Sequence, residues 1–147
     1  MATTAKAVSG RARASGGRGL HIALWIVQGL LALLFAGAGF TKMVTPLPDL
    51  AQTLPYTADL PGALVRFIGA SEFVGALGLV TPSMLRVLPI LTPLAGLGLM
   101  VVMVLAMLFH LSRGEMSDIV LPVVVAALAG FVAWGRFKAA PIAPRSR

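Results

Sequence analysis

Four apolar runs, each close to or longer than the thickness of a bilayer's hydrocarbon layer, constrain this chain more than any other feature of it. They cover residues 21–40, 63–80, 84–111 and 119–135. A helix rises about 1.5 Å per residue, so some 20 residues reach across the roughly 30 Å of hydrocarbon. A soluble bundle would interrupt such runs with polar residues every three or four positions, and these runs are not so interrupted. The composition agrees, because 58% of the 147 residues are apolar and 12% are charged, well outside the range of soluble domains. The expected fold is all-α: a four-helix transmembrane bundle over residues 21–137, with the lipid bilayer as its first partner.

The segments between the runs set the boundaries. Residues 1–20 are rich in Ala, Gly, Ser and Thr and carry Lys6, Arg11, Arg13 and Arg18 with no acid, so they read as a disordered basic tail. The run that follows is too long for the core of a signal peptide and reads as a retained anchor. Pro46, Pro48 and Pro61 forbid a continuous helix through residues 45–60. Leu47, Leu50, Ala51 and Leu54 are spaced for a two-turn helix on the membrane surface, and an irregular loop held down by the same leucines fits equally well. Thr81 and Pro82 read as the N-cap and first residue of the third membrane helix. That helix would be about 40 Å long and kinked at Pro89 and Pro93. A second basic tail covers residues 138–147.

Charge sets an expected orientation. The two tails, with Arg136 counted with the second, and Arg86 hold nine basic residues, against Lys42, Arg66 and Arg113 toward the opposite face. Basic residues collect on the cytoplasmic side, so the expectation is N-in and C-in, multi-pass, in the cell's plasma or inner membrane. The formal net charge of +7 is thus spent on topology, and nucleic acid is not an expected partner. The chain has no cysteine, which excludes disulfides, thiolate metal sites and thiol redox chemistry.

Glu72 stands out, because a carboxylate deep in a spanning helix costs several kcal/mol unless it is protonated, paired or wet. By helical rise Gln28 and Thr92 fall near its depth, and the three form a candidate polar layer. Two readings are open: interhelical hydrogen-bonding glue, or a carboxylate that binds a proton or a ligand. On the first reading Glu72→Gln should fold and work nearly normally, and on the second it should assemble normally and lose activity. Toward the outer face Lys42, Arg66, His110, Glu115 and Asp118 sit at helix ends and could hold an anionic or quinone-like headgroup. Snorkelling side chains that fix helix depth are the alternative. Arg66 and Glu72, six positions apart, are too far around the helix to pair. The only histidines, His21 and His110, lie at opposite faces, so neither a bis-histidine haem nor a metal site is expected.

Three stretches carry a resemblance: GAGFTK at 37–42, RFIGASEFVGALGLVTP at 66–82 and LTPLAGLGLMVVMVLAMLFHLSRGE at 91–115. Together they resemble the DoxX-like family of bacterial four-helix membrane proteins over about residues 23–137. The resemblance implies a compact bundle related to small membrane subunits of oxidoreductase systems that pass electrons toward quinone. Lys42, Arg66, Glu72 and His110 are the matching polar residues, and the basic tails are outside the pattern. The leading expectation is an oxidoreductase-associated membrane subunit with no intrinsic cofactor and no redox centre, near quinone, partnered by other membrane or peripheral subunits or by its own copies. A small proton-coupled carrier using Glu72, or a lipid or assembly scaffold, are the competing expectations.

Overall fold

A computed structural model describes the backbone of residues 2–145 and the side chains of residues 17–145. Residues 1–16 of the expected disordered tail lie outside the fully described part, while residues 17–20 are helical. The chain is helical throughout its membrane region, with no strand among the described residues. The order is α1 (Ala2–Val44), α2 (Leu47–Thr53), a 3-10 turn (Pro55–Asp59), α3 (Gly62–Leu85), α4 (Leu91–Ser112), a 3-10 turn (Met116–Ile119) and α5 (Val120–Trp134) with a π-helical extension (Gly135–Ala139). Four stretches, Gly17–Val44, Gly62–Leu85, Leu91–Ser112 and Met116–Ala139, are long and apolar enough to cross a membrane. The protein is a multi-pass membrane protein built as a four-helix bundle.

The helices pack in cyclic order, α1 on α3, α3 on α4, α4 on α5 and α5 back on α1. Leu31, Phe35, Ala76, Leu79, Leu99, Val125, Ala129 and Val132 form the core. Large apolar residues such as Leu33, Phe67, Val74 and Leu121 stay exposed on the outside, which a bilayer covers and water would not tolerate. The face with α2 and the α4–α5 connection is called the loop face, and the face with the α3–α4 turn and the chain ends the terminal face.

Prolines decide where the elements stop. α1 ends ahead of Pro46 and Pro48, and α2 begins with Pro48 in its first turn, where no N–H is needed. Residues 47–53 are helical, not an irregular loop, and Leu50 of this short helix is fully buried. The turn between α3 and α4 differs from the sequence expectation. Pro82 lies inside α3, not at the start of the next helix, and α3 continues to Leu85 before Arg86 closes it in a left-handed conformation, φ 56°. The continuation is held because Pro82 and Ser83 are buried and the Ser83 hydroxyl shares a 2.7 Å hydrogen bond with Thr92 of α4. α4 therefore starts at Leu91, seven residues into the apolar run that begins at 84, and spans about 33 Å. The expected kink has no cause: Pro89 precedes the helix, and Pro93 sits in its first turn among N–H groups that lack intrahelical partners.

Candidate functional site

Two opposed glycines set the geometry of the loop-side half. A Cβ on Gly39 of α1 would lie 2.5 Å from the carbonyl oxygen of Gly69, and one on Gly69 of α3 would lie 2.7 Å from Cβ of Lys42. Only glycine permits backbones so close. One turn beyond each glycine stand Lys42 and Glu72. Glu72 lies ten residues into α3, about 15 Å from the loop face, whereas Lys42 is two residues from the end of α1, so the lysine reaches inward. Its Nζ donates to both carboxylate oxygens, at 2.8 and 2.6 Å. Both residues are buried, 6% and 3% exposed. A pair removed from water survives only with geometry this close, because each charge forfeits its hydration.

The pair is braced from above. The Arg66 guanidinium donates to the carbonyl oxygen of Lys42. That carbonyl is in the last turn of α1, where no intrahelical donor remains, so Arg66 caps the helix that carries the lysine. Arg66 does not touch Glu72, as the helical geometry requires.

Tyr56 stands on the 3-10 turn at the loop face, half-buried. Burial pushes its phenol above the ordinary range, Lys42 pulls it back and Glu72 adds to the rise, so the ring senses both charges. Tyr56 meets His110 edge-on at 5.5 Å between ring centroids, and Phe109 at 6.4 Å. His110 Nδ1 lies 2.7 Å from Glu115 Oε2. The other carboxylate oxygen of Glu115 accepts from Arg113 Nε at 2.7 Å, and Arg113 Nη1 reaches Asp59 at 2.6 Å. Hydrogen bonds from His110 and then Arg113 hold the Glu115 carboxyl below its usual range, and Glu115, ahead of Asp59, holds the Arg113 guanidinium above its own. This network sews the turn after α2 to the α4–α5 connection.

Ligand atoms of His110, Glu115 and Asp118 lie within 4.8 Å of one another. Both oxygens of Glu115 are already engaged, one by a guanidinium that would repel a cation, so the arrangement favours an ion-pair network over a metal centre.

The candidate layer of Glu72, Gln28 and Thr92 is not formed. Thr92 pairs with Ser83 at the α3–α4 turn, and Gln28 donates from Nε2 to the Leu79 carbonyl at 2.6 Å. α3 extends five residues beyond its expected end, which moves Glu72 toward the loop half and leaves the other two behind. Gln28 belongs instead to a second cluster at the terminal face, built on a residue expected in the tail. Arg136 is 4% exposed; its Nε donates to Gln28 Oε1 at 2.6 Å and its guanidinium lies 5.3 Å from the centroid of Trp25. Gly135 lets α5 approach Leu24 of α1 closely enough for this. Sequence reasoning missed Gly69, Tyr56, Ser83 and Arg136. A glycine three residues before Glu72, matching the glycine three residues before Lys42, was the one signal that could have paired the two charges.

A family model described as the DoxX-like family matches residues 26–132, a range containing every residue of the loop-side network. No curated protein and no solved structure matches the chain.

Proposed function

The chain belongs to the DoxX-like family, and on that premise we propose that it serves as a small membrane subunit of a quinone-linked oxidoreductase system, holding no redox centre of its own. The observation that carries this reading is the set of polar and aromatic side chains in the loop-side half: the buried Lys42–Glu72 pair, Tyr56 in edge-on contact with His110, and His110 paired with Glu115. The residues suit a quinone headgroup. Tyr56, Phe109 and His110 form a cluster of three rings packed edge to face. With Nδ1–H donated to the Glu115 carboxylate, His110 keeps a lone pair on Nε2, the polarity that takes a proton from a quinol hydroxyl. A bound quinone would supply the two-electron chemistry; the chain's own groups hold and pass protons. His110 receives the proton near the surface, and Lys42 with Glu72 fixes the charge of the interior behind it.

A second reading, a proton-coupled carrier acting through Glu72, draws support from the depth of that carboxylate in α3. Lys42 already occupies both of its oxygens, so a cargo cation would have to displace a 2.6 Å contact. Substrate-dependent proton flux in proteoliposomes would favour the carrier.

The orientation follows from charge: both ends cytoplasmic and the loop face on the far side of the cell membrane. Extraction in mild detergent tests the main reading. Quinone or a redox protein should leave the membrane with this chain, and its deletion should lower a membrane oxidoreductase activity. If neither accompanies it and every such activity survives deletion, the reading is wrong.

A further inference from the structure

Among the described residues, Arg136 is a buried cation without a counter-charge. The chain's five acids are Asp49, Asp59, Glu72, Glu115 and Asp118. Four stand at the loop face, and Glu72 is held by Lys42, so no side-chain carboxylate of this chain serves the terminal face. Arg136 uses Nε on Gln28, and Nη1 on Ala140 O at 3.1 Å and on His21 Nδ1 at 3.2 Å. Its Nη2 is buried with no hydrogen-bond partner among the described residues. An unmatched charged donor is expensive in a low-dielectric setting.

His21 makes the imbalance specific. Its Nε2 faces the Trp25 indole N–H at 3.1 Å while Nδ1 faces the Arg136 guanidinium. Indole and guanidinium only donate, and a neutral imidazole accepts at one nitrogen and donates at the other. One face of His21 is therefore donor against donor. The charged guanidinium makes the stronger demand for the lone pair, which puts the proton on Nε2. The N–H groups of exposed His21 and half-buried Trp25 then face each other at 3.1 Å, with no acceptor for them among the described residues. Both rings line an open depression of about 370 Å³, together with Ser83, Met84, Arg86 and Ile142. Ile142 of the C-terminal segment forms one side of it, and a 2.9 Å hydrogen bond from the Arg145 N–H to the Arg86 carbonyl ties that segment down.

We propose that this depression is a binding site for a phosphate-bearing anion. One phosphate oxygen accepts from His21 Nε2–H and Trp25 Nε1–H together, Arg86 pairs with the phosphate across the depression, and Arg136 behind His21 has its charge balanced. The site lies at the start of the membrane-spanning part of α1, which begins at Gly17, beside the apolar side chains of Met84 and Ile142, which suits the phosphate and glycerol of a phospholipid. Arginine matches phosphate geometry better than any other side chain.

Trp25 emission reports on the site directly. Full-length Trp134→Phe protein in detergent, so that Trp25 alone emits, would be titrated with dioctanoyl-phosphatidylglycerol, with inorganic phosphate and with phosphate-free dioctanoylglycerol. The phospholipid should change the emission saturably and dioctanoylglycerol should not. Arg136→Gln should weaken the phospholipid at least tenfold. Because a buried substitution can impair folding, Arg86→Gln at the exposed turn provides the second test, with a loss of several-fold. Saturation by inorganic phosphate at equal or lower concentration supports the phosphate site and makes a free anion its occupant. An equal response to dioctanoylglycerol, no response to either phosphate, or unchanged affinity in Arg86→Gln would overturn the proposal.

Discussion

Glu72 and Lys42 form a single unit, and neither can be changed alone. Removing one member of a buried ion pair leaves the other charge without water or partner, at a cost of about 3–5 kcal/mol. Glu72→Gln keeps the carboxyl's shape but strands the Lys42 ammonium that touches both of its oxygens. The lysine thus removes the sequence expectation that Gln would assemble normally. Glu72→Gln and Lys42→Met should each lower the unfolding free energy in detergent by about that amount. The double variant Lys42→Met with Glu72→Met should recover most of it, since apolar replacement of a whole buried pair is often neutral or better. Denaturant titration of the four proteins measures this; a double variant as unstable as the sum of the singles would show that the two residues do not act as a pair.

At the scale of helices, the ion pair depends on how closely α1 and α3 approach. Gly39→Ala would push a methyl against the Gly69 carbonyl and the Phe73 amide, both backbone atoms that cannot rotate away. Forced overpacking costs about 1–3 kcal/mol, and separating the helices would also lengthen the Lys42–Glu72 contact. Gly69→Ala should behave the same way. Gly37 and Gly98, with nothing within 4 Å of a new Cβ, are controls whose Ala variants should be neutral or slightly stabilising. Thermal denaturation in detergent distinguishes them, and equal effects at Gly39 and Gly37 would contradict the close contact. Gly75 and Gly78 face Leu99 and Ala95 of α4, so the glycines of α3 serve two neighbours.

For the whole molecule, the spans and their number were legible because the bilayer imposes length and apolarity on every crossing segment. The ends of α3 and α4 were not, since Thr81–Pro82 carries the signature of a helix start while the buried Ser83–Thr92 bond and the left-handed Arg86 decide otherwise. Lys42, Arg66, Glu72 and His110 were each visible as polar residues in apolar surroundings. Their partnership was not, because depth along a helix says nothing of how far a lysine stem reaches or which faces touch. Arg136 looked like one more tail charge, and only the closeness of α5 to Leu24 across Gly135 reveals it as buried. The basic asymmetry, nine against three, predicts that a periplasm-active reporter fused after Leu54 or Gly114 is active and that terminal fusions are silent. Active terminal fusions would invert the molecule and put the loop-side network on the cytoplasmic side.

The loop-side network is the proposed contact with quinone, and a photoreactive azidoquinone maps that contact on the purified protein without requiring its redox partner. Cross-links should concentrate in residues 54–59 and 109–116, around Tyr56, Phe109 and His110, and an excess of unlabelled short-chain quinone should suppress them. His110→Ala should reduce labelling of both segments while leaving the fold intact, since the residue sits at a helix end. Labels scattered over lipid-facing residues such as Leu33, Val74 and Leu121, indifferent to competitor and to His110→Ala, would contradict a quinone site at the loop face.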